Sequence, residues 1–308
     1  MANQWYIRLA QPGVTLIFFV IVGSGATAER LLETNVNQSA TNPIIVEVTM
    51  RQGRVVVPVC INGSDPLSFL LDTGYSMTML RSDHAAKLAL KRIGEVTIAG
   101  IAGDTTADVF AGATLSLGAA SFTPRRIAAL EGRRNRDGIL GSDLFKRFVV
   151  VIDPKGKTIK LHDPKEFAFP ADGEIVPMRF RTTTPIIHAT LRVGEAAPIE
   201  AEFEVDTGCD GGLCLGSEFV AAHKLVELSG KTESSFRRGV GGAASTQTGQ
   251  LESLQLGNFV VKKPGANFFA EGSPAGRGLA GHIGMEVLCQ FEVTFDYSRN
   301  KLLLRKLN

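Results

Sequence analysis

The chain has 308 residues, 44% of them hydrophobic, with 33 basic against 31 acidic side chains. That balance is ordinary for a globular protein. A formal charge of +2 gives no electrostatic footprint for nucleic acid and no steering by net charge, so no nucleic-acid partner is expected.

The first element is a leader. Residues 1–28 read as a signal peptide: Arg8 is the only charge, an apolar run spans Val14 to Gly23, and Ala26-Thr27-Ala28 is a small-x-small cleavage pattern. The run is short for a permanent span, the alternative being an uncleaved anchor. No Cys follows the small residues, so lipid modification is not indicated. The expected location is exported, periplasmic or secreted, with no stable membrane span left after cleavage. Residues 29–42, polar and without periodicity, form a flexible lead-in that a pro-segment would also fit.

From Pro43 the chain reads as short strands such as "IIVEVTM", "RVVVPVCI", "LSFLLD" and "MTML", β-branched or alternating and broken by Gly, Asn, Asp and Pro. Helical signals are few, chiefly Ser82 to Leu90 and Glu218 to Leu225. A break near 164–173, with Pro164, Pro170 and Gly173, divides a β lobe over 43–163 from another over 174–308.

The two parts repeat one plan. "LLDTG" ends in Asp72-Thr73-Gly74, and "EVDTG" ends in Asp206-Thr207-Gly208, 134 residues later. "GIAG" (Gly100, Ile101, Ala102, Gly103) answers "GVGG" (Gly239, Val240, Gly241, Gly242). "GILGSDLFKRFVVVIDPKGKTIKL" answers "GHIGMEVLCQFEVTFDYSRNKLLL", with Gly141 on Gly284, Phe148 on Phe291 and Asp153 on Asp296. The order of features is kept while the offset grows slowly, as loop insertions would produce. Mainly β lobes with a pseudo-two-fold duplication follow.

A lone Asp-Thr-Gly is most simply a turn capped by its own carboxylate. Two copies at matching places are different. A two-fold arrangement brings Asp72 and Asp206 together, and carboxylates that close share one proton. One then acts as acid and the other as base on a water attacking a peptide carbonyl, with no metal or cofactor. Gly74 and Gly208 allow the loops to approach, and Thr73 and Thr207 can turn their hydroxyls to the opposite loop.

At these residues the chain resembles the aspartic proteases of the pepsin and retropepsin type, and is similar to their bacterial exported members. The resemblance rests on "LLDTG" with "ILG" and "EVDTG" with "HIG". It implies a two-lobed acid-protease fold with β-barrel lobes, and an endopeptidase with Asp72 and Asp206 as its catalytic pair. It also implies apolar-Gly blocks packed beneath the loops: Ile139, Leu140 and Gly141, then Ile283 and Gly284, with His282 a polar replacement. The Gly-rich stretches at 100–103 and 239–242 become flaps that bind a peptide or protein substrate, and a monomer suffices. The chain departs from the pattern at Tyr75 and Cys209, where the family places Ser, Thr or Ala, and at Asp210, an added acid. Those departures keep open a non-catalytic peptide-binding or scaffold relative.

The remaining motifs carry less. Cys209 and Cys214 could close a small loop as a disulfide, but Cys60 and Cys289 leave three pairings for four cysteines. The histidines at 84, 162, 188, 223 and 282 lack ligand spacing, and no metal site is expected. "GVGGAA" matches a dinucleotide pattern but follows no apolar strand. Arg133, Arg134 and Arg136, and Arg237 with Arg238, read as solvated loop charges, and Asp153 and Asp296 as turn residues.

Overall fold

The strongest strand in the first lobe shows how burial organises the chain. In Arg54–Ile61 the residues Val55, Val57, Val59 and Ile61 are fully buried while Pro58 between them is exposed. That alternation commits one face to a core. The computed structural model describes residues 42–100, 102–131, 136–273 and 278–307. The leader, almost all of the lead-in, Ile101, and the arginines at 133 and 134 lie outside the described residues.

The described residues form twenty-six strands and a few short helices. Each lobe contributes one ten-stranded sheet, and the two sheets share one strand order. The sheets run open between two free edges, so the expected β barrels do not close. Strand Lys91–Gly100 lies at one edge and Ala120–Phe122 at the other in the first lobe; Glu233–Gly239 and Phe259–Lys262 take those places in the second.

The centre of each sheet positions the acid. Leu67–Leu71 runs antiparallel to Arg54–Ile61 and parallel to Gly138–Leu140, which in turn runs antiparallel to Met79–Arg81. The loop carrying Asp72 therefore leaves one neighbour of Gly138–Leu140 and returns as the other. Ile199–Val205, Gly281–Ile283 and Leu213–Leu215 repeat this around Asp206. The apolar-Gly block sits between the two arms of the loop, which fixes the loop's width.

A third sheet of six strands joins the lobes. Hairpin Val149–Asp153 with Thr158–His162 meets hairpin Phe291–Asp296 with Lys301–Lys306 through the pairs Val150–Phe295, Val151–Thr294 and Ile152–Val293. Ile44–Glu47 and Glu174–Pro177 close its two edges. Asp153 accepts from the Gly156 N–H at 2.8 Å, and Asp296 from Ser298 Oγ at 2.6 Å, so both acids hold hairpin turns. One buried cluster runs through both lobes, from Val57, Phe69 and Phe145 to Phe203, Val205 and Phe295.

The helical signals resolve into Ser82–Lys87, Ser217–Ala222 and Leu225–Leu228. Two further helices, Ser142–Arg147 and Met285–Leu288, follow Gly141 and Gly284. They lie between the apolar-Gly block and the hairpin in each lobe, where the sequence showed no helical signal.

Phe295 is fully buried at the seam and meets Phe145 edge-on, with centroids 5.4 Å apart. Phe295→Ala is expected to lower the unfolding free energy by about 3–5 kcal/mol in a urea titration. A loss below about 1 kcal/mol would contradict a close-packed junction.

Candidate active site

Two threonines hold the acid loops against each other. The Thr73 N–H donates to Thr207 Oγ1 and the Thr207 N–H donates to Thr73 Oγ1, each at 3.0 Å. The hydroxyls pass on: Thr73 Oγ1 donates to the Val205 carbonyl at 2.6 Å, and Thr207 Oγ1 to the Leu71 carbonyl at 2.9 Å. Both side chains are fully buried. A valine has the same shape at either position but neither donates nor accepts.

The carboxylates follow from this crossing. Gly74 and Gly208 donate their N–H groups to Asp72 Oδ1 and Asp206 Oδ1 at 2.9 and 2.8 Å. A Cβ at Gly74 would stand 3.1 Å from Oδ1 of both Asp72 and Asp206, and one at Gly208 would overlap Oδ2 of Asp72. The glycines thus leave the room the second acid occupies. The two carboxyls are thereby brought together, and the proton affinity of each depends on the other.

The apolar-Gly blocks support both loops from below. The Asp72 N–H donates to the Leu140 carbonyl at 3.0 Å and the Asp206 N–H to the Ile283 carbonyl at 2.9 Å. Gly141 packs against the Met77 carbonyl, and the Gly284 N–H donates to the Gly212 carbonyl at 2.8 Å. Ser142 and Met285, the first residues of the two unforeseen helices, donate their N–H groups to the carbonyls of Tyr75 and Cys209. Helix and loop are therefore tied in both lobes.

The electrostatics of the two acids diverge. Burial, then the charge of Asp206, raises Asp72 well above the ordinary carboxylate range against the Gly74 N–H. Burial pushes Asp206 up as well, but His282 and the Gly208 N–H outweigh it, and the net shift is downward. His282 Nδ1 lies 3.0 Å from Glu204 Oε2 and 3.5 Å from Asp206 Oδ2, aligned for a hydrogen bond with neither. Burial favours the neutral ring, yet Asp206 and Glu204 prevail and lift the imidazole to about 9. His282 entered the sequence reading as a polar replacement and as one of the histidines without ligand spacing; Glu204, two residues before Asp206, was not singled out.

The hairpins that carry the Gly-rich tips are Lys91–Gly100 with Gly103–Ala111, and Glu233–Gly239 with Gly242–Gln250. Their tips touch. A Cβ at Gly100 would overlap the Val240 carbonyl, and one at Gly241 the Gly103 carbonyl. A Cβ at Gly242 would stand 3.5 Å from that of Ala102, while Gly239 pairs with Gly242 to close its hairpin. Toward their tips the hairpins pack on the residues that depart from the family pattern. Val96 and Ile98 share an apolar cluster with Tyr75, and Ala244 shares one with Cys209 and Cys214.

Two expectations need correction. Cys209 and Cys214 are brought together but stay free thiols with sulfurs 3.2 Å apart, well beyond the 2.03–2.05 Å of a disulfide. The contact with Cys214, then burial, pushes the Cys209 thiol well up. Arg237 is not a solvated loop charge, since it pairs with Asp210 and so occupies the added acid. Arg136 lends positive potential to Asp72, while Arg238 stacks over Phe236 at 5.1 Å. Among the described residues no cluster of acids, histidines and cysteines could hold a metal ion.

A family model described as aspartyl protease matches residues 57–144 and 189–287, one segment in each lobe. Over 143 residues the chain is 28% identical to DNA damage-inducible protein 1 of Yarrowia lipolytica, covering 44% of this chain and 35% of that protein. Over 123 residues it is 32% identical to the UBA domain-containing protein Mud1 of Schizosaccharomyces pombe, covering 39% and 36%. The match thus spans about a third of the length of these curated relatives. Among solved structures, the aspartic proteinase from Irpex lacteus superposes with a TM-score of 0.57 at 17% identity, covering 86% of this chain and 97% of that one. That likeness shows the two-lobed fold.

Thr207→Val leaves the buried Thr73 N–H without an acceptor and the Leu71 carbonyl without a donor. Each group left unpartnered is expected to cost about 1–3 kcal/mol. Thermal or urea unfolding checks it, and a Thr207→Val protein as stable as the wild type would show that the crossing is not a structural tie.

Proposed function

Because the chain belongs to the aspartyl protease family, we propose that it hydrolyses peptide bonds with Asp72 and Asp206 as its catalytic pair. The observation that carries this reading is the pair of facing carboxyls whose proton affinities are driven apart in one buried site. Asp206, the weaker proton acceptor of the two, stays ionised and takes a proton from a water between them. The water oxygen bonds to the peptide carbonyl carbon while Asp72 donates its proton to the carbonyl oxygen. In collapse the C–N bond breaks, the amine leaves with the proton held by Asp206, and Asp72 recovers its own. No cofactor enters these steps.

The flap hairpins supply the second part of the reading. Their free edges offer backbone groups to an extended peptide as an added strand. The meeting of the tips means that they part for a substrate to enter. Both acid loops lie in one chain, so a monomer is sufficient, and a sizing column reads this directly. Export through the leader at residues 1–28 belongs to the same proposal. Among the described residues no helix is long and apolar enough to cross a membrane.

The working form has Asp206 ionised and Asp72 protonated. Activity therefore rises with pH through the lowered titration of Asp206 and falls through the raised titration of Asp72, the two apparent values belonging to the pair. A peptide-library digestion should show turnover persisting above the ordinary carboxylate range. Asp72→Asn and Asp206→Asn should each cut kcat by about 10²–10⁴-fold or more. Full cleavage by either variant would refute the mechanism. Peptide binding without turnover at any pH would identify a non-catalytic relative, the reading that Tyr75 and Cys209 favour.

A further inference from the structure

The two lobes repeat each other in strand order but not in the chemistry of the sheet row beside each acid. In the first lobe the register runs Val56, Leu70, Ile139, Met79, Ala128 across five adjacent strands. Leu70, Ile139, Met79 and Ala128 are buried in one apolar cluster. The matching row in the second lobe runs Ile186, Glu204, His282, Cys214, Asn267. Glu204 takes the place of Leu70, and His282 that of Ile139.

A strand repeats its facing every second residue, so Glu204 points to the same side as Asp206. His282 is its direct neighbour on the adjacent strand and reaches both carboxylates from there. Glu204 is 6% exposed and also pairs with Arg181. Two acids, Glu204 and Asp206, thus stand beside two cations, Arg181 and His282. The set is neutral only when the imidazole is charged. With a neutral ring, two carboxylates would share a mostly buried site with one arginine at its far end, an arrangement burial disfavours.

We propose that His282 is a positioning residue: held between Glu204 and Asp206, it keeps its charge, pins Asp206 as the ionised member of the pair, and leaves Asp72 to hold the proton. This rests on the reading of the pair as a catalytic dyad only for its consequence in the rate. The ionic asymmetry itself stands on the geometry. Other groups bear on the pair from every side. Asp72 is influenced by Arg136 and acts in turn on Tyr75 and Tyr297, while Asp206 and His282 both act on Cys209. Cys214 flanks the ring on the next strand, and Arg237 is occupied by Asp210. Of these, His282 is the cation in contact with Asp206; at the matching place in the first lobe stands Ile139, while Arg136 acts on Asp72 through its charge.

The test is a carboxyl titration by NMR on the ¹³C-aspartate-labelled chain, with Asp206 assigned by the signal lost in Asp206→Asn. His282→Ile is expected to raise the Asp206 midpoint by about 1 pH unit or more, as loss of a contacting opposite charge requires. The double variant Glu204→Leu with His282→Ile copies the Leu70–Ile139 pair that the first lobe already accommodates. It should show the same rise, which keeps the test open if the single variant folds poorly. The acid limb of kcat/KM should move with the NMR midpoint. An Asp206 midpoint unmoved in a folded variant would overturn the proposal. If the wild type cleaves no peptide, the dyad reading fails while the NMR titration still decides the role of His282.

Discussion

The reciprocal contact of Thr73 and Thr207 is the constraint from which the site follows. Each backbone N–H finds the opposite hydroxyl, and each hydroxyl finds a carbonyl just before the opposite acid. The buried N–H and hydroxyl groups of both threonines are thereby satisfied, so the crossing is tolerated deep in the protein. It also leaves no freedom in where the next atoms lie. Asp72 and Asp206 precede the threonines by one residue, and fixing the threonines brings the carboxyls face to face. Like charges at that separation cannot both ionise cheaply.

The scaffold around the crossing serves the same end. The six-stranded sheet sews the two hairpins into one layer, and the shared core leaves the lobes little room to shift against each other. Above the acids the hairpins are anchored on Tyr75 and Cys209 rather than on hydroxyl residues. The residue three beyond each acid thus becomes part of the packing under the outer half of its hairpin. A change of packing there is transmitted to the loop through the Tyr75 and Cys209 carbonyls that the helix starts bind.

Much of this was legible in the sequence because its signals are local or repeated. The doubled Asp-Thr-Gly, the Gly-rich hairpin tips and the apolar-Gly blocks each mark one short segment, and duplication tells chance from plan. Other features depend on contacts no local pattern encodes. The pairing of Val150 with Phe295 joins strands from different lobes, so neither strand announces its partner. Helices Ser142–Arg147 and Met285–Leu288 are too short to show a helical period. The relation of His282 to Glu204 exists only once the register of two distant strands is known. Its one sequence sign was a pair of polar residues, Glu204 and His282, where the other half has Leu70 and Ile139. Arg237, on strand Glu233–Gly239, looked solvated because its partner, Asp210, lies in the loop after Asp206.

The duplicated architecture is therefore symmetric in backbone and asymmetric in charge. The central claim is that one proton is held between Asp72 and Asp206 over a pH range where isolated carboxylic acids have lost theirs. Infrared difference spectroscopy across a pH titration reads that proton directly as the band of a protonated carboxyl. The account requires one such band to persist above the ordinary carboxylate range and to change in both Asp72→Asn and Asp206→Asn. Two aspartates that lose their protons independently within the ordinary range would contradict it.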